Sequence, residues 1–383
     1  MKFSCTQENL KKGLLNIVHV AGKNINLPIL SNVLIEVSNN IKFTSTDLEI
    51  GVVSSVRGKI EKEGKTTINA KLFTDYINLL PNKRVDVELI NNEILIKCEN
   101  YKTKINAENA DDYPIIPAIE KENYYSFEFE EFKKAVNEVI FAAAADETRI
   151  ELSGVYFEFH QNELILAATD SYRLAERKIK YKEKPEEQKD IIKKIIIPTK
   201  TLQEAIRISS TSQDIEVSSD EPNHKIKIYI TENQILFTYD EVELVSRVIE
   251  GQYPDYRQII PSTDEKNRTL VSIGRQDLIR AIKASSLFSK ANINDVHFDF
   301  PKAKNQAVIS SVGSQKGEST VELPIEIIGM DNGVVLNYKY LLDGLNSLNS
   351  DEVVLEIVNS NTPVSLKAKN RQDYLYIIMP IRQ

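Results

Sequence analysis

The chain has no tryptophan, two cysteines and four histidines among its 383 residues. Each scarcity closes a route. Cys5 and Cys98 are too few for a disulfide framework or a cysteine-rich metal site. His19, His160, His224 and His297 are scattered and show no H-x-x-x-H or similar ligand spacing. The 13 glycines form no phosphate-cradling loop and no G-x-S-x-G turn. Lack of tryptophan, and of an aromatic RNP-type strand, disfavours stacking platforms for single-stranded nucleic acid. No apolar run approaches the roughly 20 residues of a membrane span. The start, Met1-Lys2-Phe3-Ser4-Cys5, lacks the apolar stretch of a signal peptide. A cytoplasmic protein with no membrane partner, no metal, no cofactor and no catalytic residues is expected. Counting leaves open one enzyme class, a glycosidase-type carboxylate pair.

What is present is ordinary in amount and unusual in arrangement. Hydrophobic residues make up 42% and charged residues 27%. At roughly 100–200 residues per domain, the length predicts two or three domains. One helical pattern occurs three times, beginning Leu10-Lys11-Lys12-Gly13-Leu14, Phe132-Lys133-Lys134-Ala135-Val136 and Leu278-Ile279-Arg280-Ala281-Ile282. The first two copies keep apolar residues at i, i+4, i+7 and i+8, one face of a helix. The third departs after one turn, where Ser285 and Ser286 replace apolar residues and Leu287 and Phe288 follow. A small residue after each base (Gly13, Ala135, Ala281) predicts close packing there. A second pattern, Lys-x-apolar-x-acid-x-apolar, starts at Lys71, Lys200 and Lys339. Base-to-lysine spacings are 59, 66 and 59 residues, so the chain reads as three copies of one domain. Alternating runs such as Ile94–Cys98, Leu164–Leu166, Ile235–Tyr239 and Val353–Ile357 are expected strands. Each copy is thus α+β, with two helices packed on antiparallel sheets. Proline-bearing joints at Asp112-Tyr113-Pro114 and Gln252-Tyr253-Pro254 separate the copies. The expected domains are residues 1–124, 125–253 and 254–383.

Charge is divided. The chain carries a net −8, yet the six helix segments hold 12 basic and 8 acidic residues. The lysine opening each second helix sits where the helix dipole disfavours a cation. Its acid four residues later is in the poorer i,i+4 order. Helix stability does not explain a lysine repeated three times, whereas attraction of an anion does. A diffuse, repeated basic lining suits a nucleic-acid backbone, bound without base reading. Asp170 is the best lone acid and is expected to order a turn.

The stretches Leu27-Pro28-Ile29-Leu30-Ser31-Asn32, Ser45-Thr46-Asp47-Leu48-Glu49 and Leu152-Ser153-Gly154-Val155 carry a resemblance. So do Ala168-Thr169-Asp170-Ser171-Tyr172-Arg173-Leu174-Ala175, Tyr253-Pro254-Asp255-Tyr256-Arg257 and Met379-Pro380-Ile381-Arg382. Along its whole length the chain resembles the bacterial DNA polymerase III beta subunit family, the sliding clamps. The resemblance implies a head-to-tail homodimer of three-domain chains closed into a ring around double-stranded DNA. Such a ring is a processivity factor that slides without sequence preference and tethers a polymerase. The rival is a three-repeat, protein-only scaffold with no DNA inside.

The resemblance also implies sites. The expected DNA-facing set is Lys12, Lys23, Lys71, Lys134, Arg149, Lys200, Arg207, Arg280, Lys283 and Lys339, with Lys23 standing in for a base where Asn24 sits. Partners implied are the DNA polymerase III alpha subunit, the clamp loader and other clamp-motif peptides, inserted between the second and third domains. Walls of that pocket would be Leu152, Thr169, Ser171, Tyr172, Arg173, Leu174, Pro254, Ile259, Pro363, Ile377, Met379, Pro380, Ile381 and Arg382, with Asn337 and Tyr340 at the rim. Aliphatic walls and a pliable methionine suit leucine or phenylalanine anchors. Arg173 and Arg382 would hold peptide carbonyls or acids. The rival reading of Tyr376-Ile377-Ile378-Met379 is an edge strand in a core, which the family resemblance of the chain end does not favour. Ser171-Tyr172 replaces the glycine-histidine pair of some members, and Gln383 a terminal apolar residue. For the dimer seam, Ile105, Leu287 and Phe288 are expected.

Overall fold

The computed structural model describes residues 1–22, 27–185, 193–213, 225–261, 268–290, 292–313 and 316–382. Lys23 and Gln383 lie outside these. Six α-helices form where the repeated patterns place them: α1 (Gln7–Ile17), α2 (Ala70–Leu79), α3 (Phe129–Val139), α4 (Thr199–Gln213), α5 (Arg275–Ser286) and α6 (Tyr338–Ser347). Side-chain caps start α1, α2 and α6. Thr6 accepts from the Asn9 amide at 3.2 Å, Asn69 from Leu72 at 2.9 Å and Asn337 from Lys339 at 3.0 Å, each satisfying a helix N–H that has no partner within the helix. The small residue in the first-helix pattern is needed, since a Cβ on Gly13 would meet Val56 and Phe43. Ala135 and Ala281 are buried at the matching positions. In the third copy Ser285 is buried too, its hydroxyl on the Ile309 carbonyl at 3.4 Å.

Each copy opens with a strand that patterning missed: Lys2–Thr6, Tyr125–Glu128 and Thr269–Gly274. Short, and running straight into a helix, they carry no alternation long enough to read. Pairing then repeats. The opening strand lies antiparallel to the first strand after the second helix, Arg84–Ile90, Lys225–Ile230 and Glu352–Ile357 respectively. The first strand after the first helix (Asn32–Val37, Gly154–Phe159, Asp295–Phe300) pairs with the strand before the second helix (Gly64–Asn69, Lys193–Pro198, Asn332–Asn337). One topology is used three times.

Two compact units result. Residues 1–132, 181–188 and 200–248 form one; 133–180, 189–199 and 249–383 form the other. The first contains a five-stranded and an eight-stranded sheet, the second a nine-stranded and a four-stranded sheet. In the eight-stranded sheet Val242–Arg247 of the middle copy pairs with Ile50–Val56 of the first. In the nine-stranded sheet Arg173–Lys180 of the middle copy pairs with Tyr374–Ile378 of the last. Both cysteines are buried, and burial pushes the Cys5 thiol up to about 12. Among the described residues no helix is long and apolar enough to cross a membrane.

Candidate peptide-binding site and basic helix faces

The second unit brings most of the expected pocket residues together. Glu163–Thr169 turns into Arg173–Lys180 through Asp170, which does what the sequence predicts. Its Oδ1 accepts from the amides of Tyr172 and Arg173 at 2.9 and 3.0 Å. Thr169 Oγ1 accepts from the Ser171 amide at 3.1 Å and donates to the Arg173 carbonyl at 2.6 Å. These bonds hold Ser171 at φ 76°, in the left-handed region, and leave Tyr172 63% exposed at the tip.

Tyr376–Met379 is not an edge. Tyr374–Ile378 is flanked by Arg173–Lys180 on one side and Val364–Ala368 on the other. The ladder runs on past the strand, with the Met379 amide donating to the Tyr172 carbonyl and the Ile381 amide to Val335, both at 2.8 Å. Period-two patterning cannot tell an interior strand from an edge, because one of its two neighbours, Arg173–Lys180, is far away in sequence. Leu174 and Ile377 face each other in register and belong to one buried cluster with Tyr156, Ala167, Ile196 and Tyr256, against which Ile259 packs. Leu152 and Thr169 are also buried. Pro363, Met379, Pro380 and Ile381 are half-buried, and Pro254 and Arg382 exposed.

Arg173 is more constrained than its sequence context suggests. Its side chain is 12% exposed. Nε donates to Asp170 at 2.9 Å and Nη1 to Asp343 of α6 at 2.6 Å. The guanidinium lies 4.7 Å from the Tyr340 ring centre and 5.5 Å from that of Phe141. Burial works against its charge, but Tyr376, Asp343 and Asp170 more than offset this and raise its pKa. The Tyr172 ring stacks on Tyr340 at 6.4 Å and 21°. α6 is itself pinned: Tyr376 donates to the Tyr340 carbonyl at 2.8 Å, and a Cβ on Gly344 would collide with the Tyr376 ring. Asn337 is engaged in capping α6. Sequence reasoning missed Phe141 and Asp343, which come within reach of Arg173 only through the fold.

The expected DNA-facing residues divide by what already holds them. Lys71, Lys200 and Lys339 each occupy the second position of their helix and are exposed. The acids four residues on are used elsewhere in two cases, Glu204 by Arg207 and Asp343 by Arg173. Lys200 instead meets Asp47. Lys134 and Lys283 are exposed on α3 and α5, and Arg280 is exposed beside Asp277. Lys12 is half-buried, 4.0 Å from Asp240. Arg149 bonds Ser171 at 3.1 Å and Glu151 at 3.0 Å, which places it beside the Asp170 turn. Arg207 donates to the Leu15 and Asn16 carbonyls at 3.1 and 2.8 Å, capping the end of α1.

The expected seam residues lie beside two open sheet edges. Ile105 is on Tyr101–Asn106, an edge of the five-stranded sheet, and lines a cleft of about 520 Å³ with Leu72 and Tyr76. Leu287 is 68% exposed. The Phe288 ring is within 3.9 Å of a Cβ placed on Gly317, which begins Gly317–Pro324, an edge of the four-stranded sheet.

Comparison with known proteins agrees along the whole chain. Family models for the N-terminal, central and C-terminal domains of the DNA polymerase III beta subunit match residues 1–117, 126–255 and 257–382. The beta sliding clamp of Bacillus subtilis is 27% identical over 394 residues, covering 100% of both chains. That of a Synechocystis strain is 27% identical over 399 residues, covering 100% of this chain and 99% of its own. The crystal structure of the Bacillus subtilis DNA polymerase sliding clamp superimposes with a TM-score of 0.89, covering 100% of this chain and 99% of that one. With one topology repeated three times and each repeat matched by the corresponding domain model, the chain belongs to the DNA polymerase III beta subunit family.

Proposed function

We propose that this chain is a DNA polymerase processivity factor, a sliding clamp that encircles duplex DNA as a head-to-tail homodimer and holds its partners by peptide. The observation that carries the reading is the lysine exposed at the second position of α2, α4 and α6. A cation there is a poor choice for the helix and a good one for phosphates. The DNA-facing set is Lys71, Lys134, Lys200, Arg280, Lys283 and Lys339, with Lys12 and Lys23 as further contributors. Arg149 and Arg207 already have local duties. Phosphate contacts of the DNA-facing set are exchangeable, so a closed ring slides while it cannot fall off.

Ring closure is served by the open edges. Tyr101–Asn106 carries Lys102 and Lys104, and Gly317–Pro324 carries Glu318 and Glu322. Paired between two chains, the five- and four-stranded sheets would make another nine-stranded sheet, with Leu287 and Phe288 seated at the Ile105 cleft. Such a contact is heterologous and closes with two copies. The repeats, residues 1–124, 125–253 and 254–383, then supply six similar domains. The mechanism involves no reaction and no cofactor, in the bacterial cytoplasm. A polymerase tethered at the Leu174–Ile377 pocket rebinds its primer end at high effective concentration. The alpha subunit of the polymerase and the clamp loader are the expected occupants. A protein-only scaffold is not favoured, since the relatives are DNA polymerase clamps.

The test is topological. Loaded on nicked circular duplex, the protein should stay bound through gel filtration at moderate salt and be lost once that duplex is linearised. Equal retention on linear DNA would overturn the encircling mechanism. A solution mass near twice 43.5 kDa is expected.

A further inference from the structure

Arg173 is a buried positive charge of the proposed pocket wall, and the fold spends it internally. Two carboxylates lie on it, Asp170 at 2.9 Å and Asp343 at 2.6 Å. Its faces lie against Tyr340 and Phe141. Asp170 is tied to this task, because its other oxygen holds the turn. Asp343 has no such second duty among the described bonds. It stands on α6, half in solvent. The trio of Asp170, Arg173 and Asp343 therefore carries one more negative than positive charge. It is partly withdrawn from water, where charges are screened less than at an open surface.

We propose that Asp343 sets the charge preference of the pocket: it converts Arg173 from an anion receptor into a neutralised wall, so the peptide admitted carries an uncharged or basic residue opposite Arg173. The inference rests on the peptide pocket of the proposed function and narrows its partner. A peptide carbonyl brings no net charge to the trio. A peptide carboxylate would meet two carboxylates already in place. This separates the roles left open for Arg173, carbonyl against acid. Arg149 stays outside the trio, paired with Glu151 and bonded to Ser171, and Arg382 is exposed further along the tail.

The probes are fluorescein-labelled octapeptides with a C-terminal Leu-Phe anchor and Ala, Glu or Lys scanned through the preceding positions. Affinity for the full-length protein is read by fluorescence anisotropy. In the unaltered protein, at least one position should show Glu weakening binding fivefold or more relative to Ala, with Lys neutral or favourable. In Asp343→Asn that penalty should fall below twofold at the same position, while the Ala peptide binds within threefold of its original affinity. Asp343→Glu should restore the penalty, an outcome that a purely structural role for residue 343 would not produce. A glutamate penalty unchanged in Asp343→Asn, or no penalty at any position, overturns the inference and leaves the pocket standing. Failure of every peptide to bind the unaltered protein overturns the pocket itself.

Discussion

The same turn is built twice, once in each compact unit, and the two differ in what grows on it. In the first unit Thr46 Oγ1 accepts from the Leu48 amide at 3.0 Å and donates to the Ile50 carbonyl at 2.8 Å. Asp47 Oδ1 accepts from the amides of Glu49 and Ile50 at 3.0 and 2.8 Å, and Leu48 has φ 79°. Thr169, Asp170 and Ser171 repeat every one of these bonds in the second unit. Even the returning strand matches: the Arg247 amide reaches the Glu49 carbonyl at 3.4 Å, as Met379 reaches Tyr172. The decoration diverges. Where the second unit has Tyr172, Arg173 and Leu174, the first has Glu49, Ile50 and Gly51. Gly51 leaves room that Ile116 of the following joint takes up. Asp47 holds Lys200 of α4, whereas Asp170 holds Arg173 beside it. A Thr-Asp turn is thus a frame indifferent to function. Three neighbouring side chains decide whether it carries an exposed tyrosine and a buried arginine ion pair or a closed, charged joint.

The comparison can be broken most severely at the chain end. Deleting residues 379–383 removes the segment bonded to Tyr172 and Val335, and should abolish polymerase stimulation while sedimentation still reports a dimer. Loss of the dimer would assign the tail to assembly. Next, Leu174→Ala should cost about 2–5 kcal/mol, as for other fully buried leucines, seen as a lower denaturant midpoint with weaker peptide binding. The reciprocal Gly51→Leu should cost about 1–3 kcal/mol by overpacking against Ile116, with peptide binding untouched. Asp170→Ala and Asp47→Ala each leave two backbone amides without their acceptor, a loss of about 1–3 kcal/mol. Peptide affinity should fall tenfold or more in the first and less than twofold in the second. Equal losses would erase the functional distinction between the turns. The smallest effect concerns the joints. Arg257 anchors the second joint to Glu158, where the first joint has Pro117. Burial works to raise the Glu158 pKa, but Arg257, His160 and Lys194 outweigh it and hold it low. Its pairing therefore stabilises while the unfolded carboxyl is ionised and is lost as pH falls through the folded value. Arg257→Gln should cost at most about 1 kcal/mol at pH 7, since the arginine is partly in solvent. Unfolding midpoints should converge with the parent below the ordinary glutamate range.

Local order was legible and remote order was not. The six helices follow from apolar spacing, and the Asp170 turn from four consecutive residues. The opening strands were hidden by their brevity. Arg207 reads as an anion contact on an isolated helix, yet its donors end on α1, nearly two hundred residues earlier. Arg173 reads as a free receptor because Asp343 lies 170 residues away. Sequence distance also concealed a buried ion network in which Arg371 holds Glu138 through two 2.7 Å bonds and Arg177 reaches the same carboxylate at 3.0 Å. Residue type announces charge. Whether that charge is already spent depends on long-range contacts that no window of sequence contains.

Because both large sheets run from one repeat into the next without a break, this chain cannot be cut into three self-sufficient beads. A fragment ending at either joint would expose raw backbone where Ile50–Val56 or Tyr374–Ile378 had its neighbour, and bare strand borders recruit whatever chain comes by. Selection acting on the middle repeat must therefore satisfy two flanks at once, which makes it the least replaceable third of the molecule.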